Sequence, residues 1–249
     1  YAGQVPESVT VGDTLQMLNL GGVIGQCTAS NPDLGEPFDV EVLGSIQAFP
    51  KIGDRVGIPA TIFTDDITPT DTLVEAPPIL FIAGTSMNSG KTLAATQIVR
   101  HLSHHGLQLA AVKLTGVSLM RDILSMADAG ANPVKDFTDA GVVSTSGQTI
   151  VPVARGLIQR VARDTPDLIV AELGDGILGE YGVQEILADP QLMNHAMAFI
   201  VCAPDPVAAF GAEQLFTKRF GLTIDVFTGP VTDNAVGRDF ITKSLGIPA

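Results

Sequence analysis

Residues 77–100 read PPILFIAGTSMNSGKTLAATQIVR, and the order of chemistry along them decides the fold. A continuous apolar run, Ile79 to Ala83, breaks into a small polar loop bounded by Gly84 and Gly90, and an apolar-periodic stretch begins at Lys91-Thr92. Strand, loop and helix in that order suit a phosphate-binding loop. Successive backbone N–H groups in the loop and at the helix N-terminus form a concave donor array for anionic oxygens. Gly84, Thr85, Asn88, Ser89 and Gly90 would line that array, Lys91 would reach the β- and γ-phosphates, and the Thr92 hydroxyl would ligate Mg²⁺. Thr85 to Ser89 is one residue longer than the G-x-x-x-x-G-K-[ST] spacing provides. The alternative is an ordinary strand-to-helix turn that contains Gly-Lys-Thr.

Outward from the loop, the chain to residue 249 alternates strands with helices, the pattern of a parallel sheet covered on both faces. Strands are expected at Ile79 to Ala83, Leu109 to Lys113, Leu168 to Glu172, Met197 to Cys202 and Ile224 to Thr228. Helices are expected at Lys91 to His105, Leu119 to Ala129, Val151 to Arg163, Pro206 to Phe220 and Asn234 to Leu245. Right-handed crossovers would put the carboxyl ends of all these strands on one edge, where ligands bind.

Residues 1–76 read differently. Short β-prone runs, Val9 to Val11, Phe38 to Leu43 and Ile58 to Phe63, are punctuated by Gly12-Asp13 and Gly53-Asp54, and no helical period persists. A small β-barrel or sandwich is expected there, joined to residues 77–249 by the Pro-, Thr- and Asp-rich linker TDDITPTDTLVEAPP. The 11 acidic and 2 basic residues of this segment make either a solvated acidic surface or a docking module for a cationic partner.

The length of 249 residues allows one large α/β domain or two domains, and 45% hydrophobic against 16% charged residues argues against disorder. A net charge of −13 argues against nucleic acid as a ligand, since affinity for a phosphate backbone comes chiefly from Lys and Arg. No apolar run reaches the roughly 18 to 20 residues of a membrane span and no basic-plus-apolar leader is present, so no membrane association and a cytoplasmic location are expected. Cys27 and Cys202 lie far apart, and no disulfide is expected.

Four further loops fall on the ligand-binding edge. Lys113, closing a buried strand ahead of Thr115-Gly116, either points to the same phosphates as Lys91 or snorkels to solvent. Glu172 closes the run DLIVAE, which is how a Mg²⁺- or water-positioning carboxylate is presented at a phosphoryl-transfer site. Asp175, three residues on, either assists it or forms a turn. The polar stretch Arg121 to Thr149 reads as substrate-facing or switch-like, with Asp122 or Asp136 as a second Mg²⁺ ligand or as a helix cap. Asp205, Asp233 and Asn234 would read a nucleotide base or cap turns and helices. The histidines His101, His104, His105 and His195 have no carboxylate or cysteine at metal spacing.

The loop Gly84-Thr85-Ser86-Met87-Asn88-Ser89-Gly90-Lys91-Thr92 resembles that of dethiobiotin synthetase and its relatives in the MinD and cobyric acid synthase branch of P-loop NTPases. Ala111-Val112-Lys113 with Thr115-Gly116 looks like that family's second-strand lysine segment, and Glu172-Leu173-Gly174-Asp175-Gly176 like its E-G-x-G-G segment. The resemblance covers about residues 78 to 249. It implies a P-loop NTPase fold, ATP (with GTP also open) and Mg²⁺ as cofactors, Lys91, Thr92, Lys113 and Glu172 on phosphates and metal, and a homodimer. Asp122 would stand for the family's aspartate after the second strand. Leu173 replaces a glycine of the family segment, and no lysine precedes the variable loop residues as in MinD-type ATPases. The activity implied is ATP-dependent activation of a small-molecule carboxylate or carbamate by phosphoryl transfer, catalysed through Lys91, Lys113 and Glu172. Set against it are a small-molecule kinase or acyltransferase and, from another class, a nucleotide-controlled binding or maturation protein.

Overall fold

A computed structural model of the chain describes residues 1–62, 67–147 and 149–249. The N-terminal strands are short: β1 (Ala2–Gln4), β2 (Thr14–Met17), β3 (Ile24–Ala29), β4 (Asp39–Glu41), β5 (Gln47–Ala48) and β6 (Ile58–Pro59). The first four form an antiparallel sheet in the order β1-β3-β2-β4, and β5 pairs with β6 as a separate ribbon. Among the described residues this is an open sheet rather than the expected barrel or sandwich. Val9 to Val11 is not a strand. It leads into a turn in which Asp13 Oδ2 accepts from Thr10 N at 2.7 Å, and the second Gly-Asp segment repeats that chemistry with Lys51 N and Asp54 Oδ2 at 3.0 Å. Gly12 and Gly53 both sit at φ +95°, the left-handed region such turns require. The Phe63 end of the third expected strand, and Thr64 to Asp66 of the expected linker, lie outside the described residues.

From residue 79 the order is β7 (Ile79–Gly84), α1 (Lys91–His104), β8 (Leu109–Thr115), α2 (Met120–Asp128), β9 (Val134–Asp136), α3 (Ile150–Ala162), β10 (Leu168–Leu173), α4 (Val183–Leu187), α5 (Pro190–Met193), β11 (Ala196–Cys202), α6 (Pro206–Leu215), β12 (Val226–Thr228) and α7 (Ala235–Asp239). The strands pair in parallel in the order β12-β11-β7-β10-β8-β9, with the loop-bearing β7 between β10 and β11. Strand periodicity divides the core in two. Ile79, Phe81 and Ala83 face the layer containing Leu157 of α3 and Phe216 beyond α6, whereas Leu80 and Ile82 face Ala95 and Val99 of α1 and Met126 of α2. All residues of β7, β8 and β10 are buried, which is why they read as continuous apolar runs.

The stretch expected as a linker is, from Ile67 onward, a strap on the α3 face. Ile67 and Leu73 are buried in the core, Thr70 N donates to Pro152 O at 3.0 Å, and Leu73 N donates to Gln191 Oε1 at 2.7 Å. Asp71 O accepts from Arg155 Nη1 at 2.6 Å and from Gln191 Nε2 at 3.1 Å. Arg155 also pairs with Asp189, the N-cap of α5. Gly156 allows the close approach, because a Cβ there would collide with Thr68 O. Its composition is that of a linker, but two apolar side chains spaced along this segment, Ile67 and Leu73, hold it down.

Candidate functional site

The loop after β7 folds around its own lysine. Lys91 Nζ donates to Ser86 O at 2.7 Å, and Ser89 Oγ donates to the same carbonyl at 2.9 Å. A Cβ on Gly84 would collide with Ser89 Oγ and stand 2.9 Å from Lys91 Cδ, so only glycine lets the lysine stem pass. Gly90 takes φ +98° at the N-cap of α1, and no side chain caps that end. The first N–H groups of the helix, which lack intrahelical partners, therefore face the loop. Gly229, just past β12, packs against the loop from the far side, since a Cβ there would strike Ser89 O. The glycine-bounded bend, the lysine inside it and the central parallel strand behind it settle the architecture. The fold is that of a P-loop NTPase.

At the start of α1, Thr92 Oγ1 donates to Glu172 Oε1 at 2.9 Å. Glu172 is 2% exposed, and its other oxygen, Oε2, has no partner among the described residues. Among the described residues Thr85 Oγ1 is the other buried side-chain atom in that position. A carboxylate oxygen buried without a donor is costly. A hydroxyl and a carboxylate side by side are oxygen donors of the kind Mg²⁺ takes, with phosphate and water filling its other positions. The described residues contain no cluster of three or more His, Cys, Asp or Glu, and the Thr92–Glu172 pair fits an ion whose remaining positions are filled by phosphate and water.

Lys113 is 4% exposed, donating to Asp122 Oδ2 at 2.5 Å and to Val117 O at 3.0 Å. Register places it beside Glu172, since the two are Cα partners across β8 and β10. Lys113 does not snorkel outward, and Asp122 is engaged by that ammonium. Burial lowers the Lys91 pKa, opposed first by the nearby Glu172 charge. Burial raises the Glu172 pKa, opposed by Lys113, reinforced by Asp122 and opposed again by the Thr92 hydrogen bond and Lys91. Cys202, whose carbonyl accepts from Thr85 N at 3.0 Å, has its thiol pushed up to about 12 by burial and is no nucleophile at neutral pH.

The loops beside the phosphate-binding bend are tied to one another. Thr115 Oγ1 donates to Gly174 O at 2.8 Å, and Gly174 admits the Thr115 carbonyl where a Cβ would not fit. Thr145 Oγ1 accepts from Gly116 N at 2.8 Å and donates to Tyr181 O at 2.7 Å, joining the loop after β8 to the loop after β10. Asp175 holds φ +71°, strained for a residue with a side chain, and lines a cavity of about 400 Å³ with Ser86, Met87, Asn88 and Leu178. Thr145 had no assigned role in the sequence beyond lying in a polar segment. Gly229 was legible only as the fourth glycine to follow an edge-forming strand.

Other expected site residues are used locally. Asp136 accepts from Thr138 N at 2.8 Å in a capping box with Asp139. Asn234 Oδ1 accepts from Gly237 N at 3.0 Å as the N-cap of α7, and Asp205 caps α6 through Ala208 N at 2.9 Å. Neither Asn234 nor Asp205 is brought against the loop by these bonds, and helix capping accounts for both side chains.

No family model matches the chain, and no curated protein does. Solved structures are similar at low identity. Chloroplast FtsY from Physcomitrella patens is 14% identical at a TM-score of 0.47, over 76% of this chain and 62% of that one. The ParA family ATPase from Chlorobium tepidum TLS is 18% identical at 0.42, over 70% and 82%. The signal recognition particle 54 kDa protein from Aeropyrum pernix K1, solved in complex with GDP, is 16% identical at 0.40, over 73% and 42%. The chain thus spans less than two thirds of the FtsY and signal recognition particle chains it matches. No helix among the described residues is long and apolar enough to cross a membrane.

Proposed function

We propose that the chain binds a Mg²⁺–nucleoside triphosphate at residues 84–92 and acts as a nucleotide-controlled P-loop NTPase. The observation that carries this is the Thr92–Glu172 pair at 2.9 Å, whose free buried oxygen sits among Lys91, Lys113 and the uncapped start of α1. When bound, Mg²⁺ would supply positive charge to the β- and γ-phosphate oxygens. Lys91 would exchange the Ser86 carbonyl for a phosphate oxygen, the amides of Gly90 to Thr92 would hold the chain of phosphates, and Lys113 would approach from β8, one strand beyond β10. Glu172, beside Thr92, orients the hydroxyl, and its unpartnered Oε2 would hold Mg²⁺ directly or through a water.

The switch reading is favoured by the way Thr145 and Lys113 lash the neighbouring loops together, so that a ligand at one loop is felt at the others. A second reading is phosphoryl transfer to a small-molecule carboxylate or carbamate. It is supported by the cavity beside Ser86 to Asn88 and by the residue likeness to dethiobiotin synthetase in the segments 84–92 and 172–176.

Thermal unfolding tests the site. Saturating Mg²⁺–nucleotide should raise the melting temperature by roughly 5–10 °C, as tight binding to the native state requires. The rise should be lost with Lys91→Ala and reduced when Mg²⁺ is withdrawn, and ATP and GTP arms give the base preference. Identical melting with and without nucleotide would sink the proposal. Nucleotide release that accelerates with one small carboxylate, and is otherwise slow, would select the second reading.

A further inference from the structure

The N-terminal sheet meets the α/β unit at a place with a direct line to the site. The turn between β2 and β3, Asn19 to Gly22, sits on the backbone of Ser118: a Cβ on Gly21 would stand 2.6 Å from Ser118 O and 3.1 Å from Ser118 N. The turn is held in shape for this contact. Asn19 Oδ1 accepts from Gly21 N at 2.9 Å, Leu18 N donates to Val23 O at 2.8 Å, and the buried Leu18 accepts from the chain's amino group at 3.1 Å. Ser118 in turn follows Val117, whose carbonyl accepts from Lys113 Nζ at 3.0 Å and which bridges to Ser144 beside Thr145. Two contacts, joined by the Val117–Ser118 peptide bond, therefore connect the ammonium of Lys113 to the tip of the hairpin.

We propose that the N-terminal sheet reads the nucleotide state of the site through this turn. The inference rests on the phosphate-binding reading of Lys91 and Lys113. Lys113 Nζ donates to the Asp122 carboxylate and to the Val117 carbonyl; a terminal phosphate adds a second charged acceptor, and because hydrogen bonds between charged partners are the stronger, the neutral Val117 carbonyl is the partner that gives way. Drawn toward phosphate, Lys113 releases Val117 O, the 116–119 segment shifts, and the seat of Gly21 loosens. The small sheet is suited to respond, because among its described residues Leu15 and Leu18 are the large apolar side chains it buries. The acidic, apolar-studded surface of residues 1–62 is then the part of the molecule whose position changes with the ligand.

Amide hydrogen exchange with and without a slowly hydrolysed Mg²⁺–ATP analogue, and its GTP counterpart, tests this on the full chain. Protection of residues 84–92 reports binding, and exchange at residues 18–24 reports the hairpin. The expected result is protection of the loop together with exchange at the hairpin faster by roughly fivefold, the effect of weakening about one contact. Gly21→Ala, which cannot seat against Ser118, should exchange fast in both states while the loop is still protected. Leu20→Ala, in the same turn but 83% exposed, should respond as the native chain does. Loop protection with unchanged hairpin exchange in the native chain overturns this inference alone. Absence of loop protection with either analogue overturns it together with the nucleotide reading.

Discussion

The two parts of the molecule handle apolar residues in opposite ways. In the α/β unit, β7 buries every side chain, and Phe81 stacks on Phe199 with ring centroids 5.6 Å apart. In residues 1–62 the large apolar side chains Leu15 and Leu18 are buried, while Phe38, Leu43, Ile46 and Ile52 stand exposed by 78% or more. A parallel sheet covered by helices on both faces has two cores to fill, whereas a four-stranded open sheet has one face and little to set against it. Close packing is thus concentrated in the strands behind the phosphate-binding loop and thins toward the N-terminus.

The sharpest way to break this contrast is to truncate the same residue type in each part. Phe81→Ala should cost about 3–5 kcal/mol in denaturant unfolding, as large-to-small changes in a closed core do. A buried charge tests the next level. Asp122→Ala should cost about 3 kcal/mol, because Lys113 at 4% exposed is left without its carboxylate, and the loss should appear as a lower urea midpoint at unchanged m-value.

Gly156→Ala probes the strap. Alanine in a helix interior normally stabilises, yet here the methyl group meets Thr68 O, so a loss of about 1–3 kcal/mol is expected by calorimetry, and a gain would show that residues 67–73 are not fixed on α3. Glu172→Gln has the reverse sign. Burial raises the folded pKa of Glu172 above its ordinary value of 4.5, so its contribution is full below that value and declines as pH rises toward the folded value. The Gln variant should therefore melt higher than the native chain at neutral pH, match it in acid, and lose its Mg²⁺ dependence of nucleotide binding. Smallest of all, Phe38→Ala should change stability by less than about 0.5 kcal/mol, its side chain being 78% exposed.

Legibility followed burial. The strands β7, β8 and β10 were readable because both of their faces are apolar, and β9, α4 and α5 were not, being only 3 to 5 residues long and too short for a period to develop. Asp205-Pro206 announced α6 through capping chemistry that needs no distant partner. The open N-terminal sheet, where a barrel or sandwich is expected, has a related reason: Gly12-Asp13 and Gly53-Asp54 are legible as turns, but the β-branched residues of Val9 to Val11 signal a strand that does not form, because propensity for strand depends on a neighbour to pair with.

By itself the sequence determined the phosphate-binding bend, the lysine within it and the carboxylate of Glu172 at a strand end, because each follows from local order along the chain. Only the tertiary structure decided that Lys113 spends its charge on Asp122 and Val117, that Thr145 ties two loops, that Ile67 to Leu73 is a strap, and that Gly21 rests on Ser118. Thr145 reaches Gly116 and Tyr181 across 29 and 36 positions, and Arg155 reaches Asp71 across 84; pairing at such distances is fixed by how strands and helices pack, which no window along the chain contains.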